Sequence, residues 1–354
     1  MPNSLVNRLQ AALNLAGRQH EIHSIRLMSD TGLAHHHLWL SRNGDDWVAR
    51  LPKQSQLGLD AQANLTYQST CFARASESGH TPMLHDVLPP SDALPRGGLL
   101  VTAIHGRPAR LPDDLPAIAE ALAGLHALQT PPIAQRMPLL APDAPWSAMC
   151  KEIETQARWL TEADLDPAVR LSIEAELDAL PATLSEAESK LISFDAHPGN
   201  FLITDAGQAV LVDLEKCRYG LPGFDLAHAS LYTSTTWDLN SSAVLEVNDV
   251  VAFYRHWQRA VNDEPSAQPS RTTLLACRRA MWLWSLTWCA KWRAQHDKMW
   301  DASVVGEDWS VELSSDALVD HVRERVEHYL TLSIIERVKA ELCDLNDALA
   351  QSRE

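Results

Sequence analysis

The chain has 354 residues, enough for two lobes each with its own core, and at 45% hydrophobic and 21% charged residues it has an ordinary globular composition. Its 46 acidic and 30 basic residues give a net charge of −16, which argues against a nucleic-acid or anionic-membrane surface, suits a cationic ligand, and otherwise serves solubility. No run of eighteen apolar residues marks a membrane span, and the amphipathic start MPNSLVNRLQAALNLAGRQ is unlike a secretory signal. Six scattered cysteines, without a CxxC pair or zinc spacing, read as reduced thiols of a cytoplasmic protein.

Taken in chain order, the first hundred residues read mainly as strands around one helix. Residues 21–28 and 36–41 are expected as strands separated by the loop SDTGLAH. Asn43-Gly44-Asp45 is a hairpin turn signal leading into a short strand, 47–51. The stretch 59–79 has few breakers and reads as a helix closed by Gly79. Two more strands follow at 82–87 and 98–104, the second a continuous apolar run that suits a buried position. From about 115 the pattern turns helical, over 115–128, 146–162 and 167–188. A strand–turn–strand unit interrupts it at 201–204 and 209–214, with Asp205-Ala206-Gly207 as the turn. Helical patterns resume at 244–262, 271–295 and 315–350. A β-rich unit, 1–105, and a helical unit, 106–354, are therefore expected to meet at a hinge near 104–107.

The segment Phe194-Asp195-Ala196-His197-Pro198-Gly199-Asn200, with Val212-Asp213-Leu214-Glu215 after the hairpin, carries the chemistry. A kinase needs a carboxylate to accept a hydrogen bond from the attacking hydroxyl, and an amide and a second carboxylate to hold the metal that neutralises the phosphates. An Asp with an Asn five residues on is weak evidence alone; a following strand–turn–strand that ends in an Asp among apolar residues is the context this motif requires.

These residues resemble the aminoglycoside phosphotransferase and choline kinase superfamily. Asp195 to Asn200 is similar to its H-G-D-x-H-x-x-N loop, Leu211 to Glu215 to its I-D-[FW]-E segment, and Gly220 to Ala227 to its G-x-P-x-x-D-L-A segment. The resemblance implies an α+β, bilobal protein-kinase-like fold that binds ATP and Mg²⁺ between a β-rich N-lobe and a mostly helical C-lobe. It implies transfer of the γ-phosphate to a hydroxyl of a small molecule, of amino alcohol, aminoglycoside or sugar type. By the same resemblance Asp195 is catalytic, Asn200 and Asp213 hold the metal, and Asp225 braces the loop. Thr31-Gly32-Leu33 is similar to the phosphate-facing loop, with Gly32 in contact with nucleotide. Arg50 stands where a strand cation, usually Lys, meets the phosphates, and its bidentate guanidinium suits that role. Val101 to Gly106 would be the hinge, with Ala103 and His105 toward adenine, and Ala121 to Leu128 resembles the L-x-x-L-H helix, in which His126 reads as a packed structural histidine.

Two positions depart from the pattern. The loop's leading His and Gly are Ser193 and Phe194, and the helix 59–79 offers Gln62, Asn64 and Gln68 where a Glu usually pairs with the strand cation. These departures favour a rival expectation, a non-catalytic, pseudokinase-like nucleotide-binding regulatory protein; the intact Asp195, Asn200 and Asp213 oppose it. Trp284, Trp288 and Trp292 share one helix face, which reads first as core and second as an aromatic wall for a ligand. The tract His35-His36-His37 alternates faces on a strand and reads as structural or phosphate-adjacent, and Tyr232 to Asp238 is placed to line the acceptor pocket. The acceptor itself and the oligomeric state are not written in these motifs.

Overall fold

The computed structural model describes residues 2–28, 34–184, 188–261, 268–296 and 316–351. The N-terminal part holds α1 (Pro2–Leu15), β1 (Ile22–Leu27), β2 (His35–Arg42), β3 (Trp47–Pro52), α2 (Ala61–Ala75), β4 (Leu84–Leu88) and β5 (Gly98–Thr102). The five strands form one antiparallel sheet in the order β1-β2-β3-β5-β4. Strand alternation sorts its two faces. Leu38 and Leu40 on β2, Ala49 and Leu51 on β3, and Leu100 on β5 pack with Leu9 and Leu13 of α1. The opposite parity, His35, His37 and Trp39 on β2 and Val48 and Arg50 on β3, lines an open cleft.

Periodicity alone allowed one helix in this region, and the structure has two. The amphipathic start becomes α1, which covers the back of the sheet, since an uncovered apolar sheet face would stay in water. The expected helix 59–79 is α2, capped by the Asp60 side chain on the Ala63 N–H at 2.8 Å, with a single 3₁₀ turn at Ser76–Ser78 ending at left-handed Gly79.

Beyond β5 the chain runs through 103–106 into β6 (Arg107–Pro108) and the helices α3 (Leu115–His126), α4 (Pro145–Ala157) and α5 (Pro167–Asp178). Then come β7 (Lys190–Ile192), β8 (Phe201–Ile203), β9 (Ala209–Leu211) and β10 (Arg218–Gly220). β8 and β9 form the foreseen hairpin with β6 at its edge, while β7 pairs with β10. The remaining helices are α6 (Pro222–His228), α7 (Tyr232–Thr235), α8 (Val247–Ala260), α9 (Arg271–His296), α10 (Asp316–Tyr329) and α11 (Leu332–Gln351). The pattern 315–350 is thus two helices rather than one, broken at Leu330-Thr331 so that both α10 and α11 can lay apolar faces on the same core.

α9 runs through the middle of that core: Cys277, Ala280, Met281, Leu283, Leu286 and Ala290 are fully buried. α6 approaches it so closely that a Cβ at Gly223 would lie 2.9 Å from the Cys277 side chain, which is why glycine stands there. Among the described residues, no helix is long and apolar enough to cross a membrane.

Candidate active site

The loop after β7 is built around one buried carboxylate. Asp225, on α6, accepts the Ser193 N–H at 2.7 Å and the Phe194 N–H at 2.8 Å, and lies 3.1 Å from His126 Nε2. Trp257 Nε1–H donates to His126 Nδ1 at 3.0 Å, so the neutral ring's remaining proton sits on Nε2 and points at Asp225. Residues on α3, α6 and α8 therefore fix the backbone that carries Asp195. Phe194 takes a left-handed conformation, φ 58°, where the resembled motif has glycine. The two N–H bonds to Asp225 and the burial of the ring, edge-on to Trp284 at 5.6 Å with the Arg218 guanidinium over it at 3.6 Å, hold it there.

Asp195 and Asp213 both line the cleft, each beside a cation. Lys216 Nζ lies 3.2 Å from Asp195 Oδ2, and His228 Nδ1 lies 3.9 Å from Asp195 Oδ1. Burial by itself would push the Asp195 carboxyl up, but Lys216, His197 and His228 outweigh it and hold it below the usual range. Asp213 accepts from Arg50 Nη2 at 2.6 Å, while Arg50 Nη1 donates to the Val212 carbonyl at 3.1 Å and lies 3.2 Å from His37 Nε2. There too burial is outweighed, chiefly by Arg50, and the carboxyl stays well below its ordinary value. The Asn200 amide nitrogen donates to the Asp195 carbonyl at 2.8 Å, which directs its oxygen away from that bond.

The absent helix glutamate has a structural consequence. Gln68 of α2 engages His35 Nε2 at 2.9 Å and Glu215 Oε2 at 3.5 Å, and Asn64 is buried beside it on the helix, while Gln62 faces solvent. Arg50 turns instead to Asp213 across the cleft.

A cleft of about 670 Å³ joins these groups. On the sheet side Trp39, Val48, Val101, Ile104, Leu202 and Val212 give it apolar walls. Of the two expected hinge contacts, the Ala103 N–H donates to the Asp46 carbonyl at 2.9 Å, and His105 is exposed with its ring against Trp39 at 4.9 Å; the neighbouring Thr102 and Ile104 line the cleft. Gly32 lies outside the described residues. On the helical side the walls are aromatic and polar: Trp237 meets Trp288 at 5.9 Å and Tyr329 at 6.4 Å, with Asp238, His228 and Thr233 nearby. Of the tryptophan stripe, Trp292 is core, whereas Trp284 and Trp288 are half-buried and reach the cleft. His126 is fully buried.

Reasoning from the sequence passed over Lys216 and Trp39 and gave Gln68 no place of its own in the site. Lys216 directly follows the Asp213-Leu214-Glu215 segment, and that adjacency was the available signal. Gln68 was considered only as a substitute for a glutamate, and Trp39 is assigned to the cleft by the β2 parity shared with His35 and His37.

A sheet of this order beside a helical part, with paired carboxylates in the cleft between them, defines a protein-kinase-like fold. The sequence matches the phosphotransferase enzyme family over residues 37–266, and the chain belongs to that family. Its structure is similar to a macrolide 2′-phosphotransferase of Brachybacterium faecium (15% identity, TM-score 0.55, covering 90% of this chain and 98% of that one). It is similar as well to a choline kinase of Cryptosporidium parvum (14% identity, TM-score 0.55, 93% of each chain) and to an ethanolamine kinase of Plasmodium vivax (12% identity, TM-score 0.59, 94% and 88%). No curated protein matches the chain. The protein is a phosphotransferase.

Proposed function

We propose that the protein transfers the γ-phosphate of ATP, with Mg²⁺, to a hydroxyl of a small molecule that carries a cationic or flat ring-like group. The observation that carries this reading is the convergence of Asp195, Asn200 and Asp213 on one cleft that is apolar on one side and aromatic and acidic on the other. Trp39, Val48, Val101, Ile104 and Leu202 would enclose the adenine, with residues 1–105 acting as the nucleotide lobe and the backbone of 102–105 as its edge. Trp237, Trp288 and Tyr329 would face the acceptor, with Asp238 supplying negative charge.

Asp195 would accept the hydrogen bond of the attacking hydroxyl and take its proton as the phosphorus–oxygen bond forms. Its depressed pKa keeps it ionised and ready to orient the hydroxyl, and Lys216 steadies the same carboxylate. Arg50 would pass from Asp213 to the phosphate oxygens when nucleotide enters. The metal's residues fit a hard cation: the Asp213 carboxylate and the Asn200 amide oxygen are both oxygen donors, the type that Mg²⁺ prefers. When bound, Mg²⁺ supplies neutralisation of charge on the β- and γ-phosphates. The non-catalytic reading rested on the missing helix glutamate and the missing leading histidine of the loop; the Arg50–Asp213 pair gives the strand cation another partner, Asp225 holds the loop through the Ser193 and Phe194 N–H groups, and catalysis is the better-supported function.

The test is thermal stability with ATP and Mg²⁺, together and separately, beside ATP consumption over a panel of amino alcohols, aminoglycosides and sugars. At a hundredfold excess over Kd, a ligand that binds only the folded chain adds about 2.7 kcal/mol. A rise in melting temperature that needs both ligands, with turnover on one acceptor class, is the expected result. Asp195→Asn should then lower kcat by roughly a thousandfold with the melting temperature retained. An unchanged rate in that variant would remove Asp195 from the mechanism.

A further inference from the structure

On the acceptor side of the cleft lies a buried nitrogen that the phosphotransfer scheme leaves unused. His228 closes α6, is 8% exposed, and lines the cleft with Asp195, Thr233 and Ser234. Its Nδ1 is buried without a hydrogen-bond partner among the described residues. A buried polar atom left unpaired costs free energy, and native structures keep few of them. The hydroxyls of Thr233 and Ser234, each in a residue 4% exposed, are unpaired in the same way, so this wall of the cleft has polar atoms to offer a ligand.

The nitrogen's place relative to Asp195 narrows what that ligand atom can be. Lys216 takes up Asp195 Oδ2 at 3.2 Å, while Oδ1 faces His228 Nδ1 at 3.9 Å. At that separation the two atoms do not hydrogen-bond, so Asp195 does not satisfy the nitrogen, yet one atom can reach both. An oxygen at ordinary lengths, about 2.7 Å from Oδ1 and about 2.9 Å from Nδ1, would open an angle of about 90° between them, which a hydroxyl accommodates.

We propose that His228 holds the acceptor together with Asp195: its Nδ1–H donates to one lone pair of the attacking hydroxyl, while that hydroxyl donates its proton to Asp195 Oδ1. The second lone pair of the oxygen is then left to meet the phosphorus, and the hydroxyl is aimed as well as activated. A donor beside an acceptor fits a hydroxyl, which does both, and not an ammonium group, which has no lone pair. Among amino alcohols the pair therefore directs transfer to oxygen. This role of His228 deepens the proposed function and rests on its assignment of Asp195.

The experiment compares His228→Asn, His228→Gln and His228→Leu with the unaltered full chain, using ATP, Mg²⁺ and the acceptor of the panel that the unaltered chain turns over fastest. An Asn amide reaches the place of Nδ1, a Gln amide that of Nε2, and Leu carries no polar atom. Leu and Gln should lower kcat/KM for the acceptor by roughly a hundredfold, because the hydroxyl is no longer aimed, and Asn should recover at least about tenfold of that loss. The KM for ATP and the rise in melting temperature with ADP and Mg²⁺ should be retained in all three, since the nucleotide half of the cleft is untouched. An Asn variant no faster than Gln, a Leu variant within about twofold of the unaltered chain, or loss of the nucleotide response would overturn the role. Asn against Gln decides the matter even where Leu does not fold. An unaltered chain that moves phosphate to no acceptor overturns the proposed function and this role with it, whereas full turnover in His228→Leu overturns the role alone.

Discussion

Phe194 is the residue at which local and tertiary preferences disagree most openly. A left-handed φ costs a residue with a Cβ roughly 1–2 kcal/mol, and glycine would remove that cost. Yet the ring is 2% exposed, packed against Trp284 and Phe224 under the Arg218 guanidinium, and deleting a buried Phe side chain costs about 3–5 kcal/mol. Burial of the ring outweighs the backbone strain, so Phe194→Gly should destabilise the chain by about 1–4 kcal/mol, although it restores the residue of the resembled motif. Urea unfolding of the two proteins decides it; a more stable variant would show that backbone strain dominates.

Among the elements, the decisive link is the chain Trp257–His126–Asp225, which ties α8, α3 and α6 to the loop after β7. None of these groups needs to meet a ligand for the loop to depend on them. Trp257→Phe leaves His126 Nδ1 as a buried acceptor without its donor, a loss of about 1–3 kcal/mol, and adds the cost of the space left by the smaller ring. The expected outcome is a lower unfolding midpoint from a substitution remote from the cleft. If Trp257→Phe lowers the midpoint as much when His126 is already replaced by Phe as when it is present, the effect is not lost with the acceptor and the hydrogen bond to His126 contributes nothing to the brace.

For the whole molecule, acidity is the lever. His228 is buried on α6, facing Asp195, His197, Lys216 and Asp225, and burial first of all pulls its pKa down to about 4. In the unfolded chain the ring titrates near 6.5. Between those values the unfolded chain binds the extra proton, so stability is full above about pH 6.5 and falls with acidification toward pH 4, at up to about 1.4 kcal/mol per pH unit for this ring. His228→Gln should flatten the fall in melting temperature across that window. An identical slope in the variant would assign the acid sensitivity to other groups. Asp213, held low chiefly by Arg50 against its burial, loses its contribution only at a more acid pH, below the ordinary carboxylate range.

The sequence by itself determined the features that periodicity and motif order encode. Apolar, aromatic and branched runs between turn signals marked the five strands of the first sheet, Asp205-Ala206-Gly207 marked the β8–β9 turn with Gly207 at φ 81°, and the three motifs holding Asp195, Asn200, Asp213 and Asp225 carried the resemblance to the family. Only the tertiary structure decided the rest, because the rest consists of contacts between residues far apart in sequence. The amphipathic start became a helix because the sheet offered it an apolar face, and the pattern 315–350 became two helices because one core had to receive both faces. The partner of Arg50 is 163 residues away, and that of His35 lies on a different element; local propensity carries no information about such pairings. The partition of Trp284, Trp288 and Trp292 between cleft and core is of the same kind, since one helical stripe fixes a common face but not where that face leaves the core.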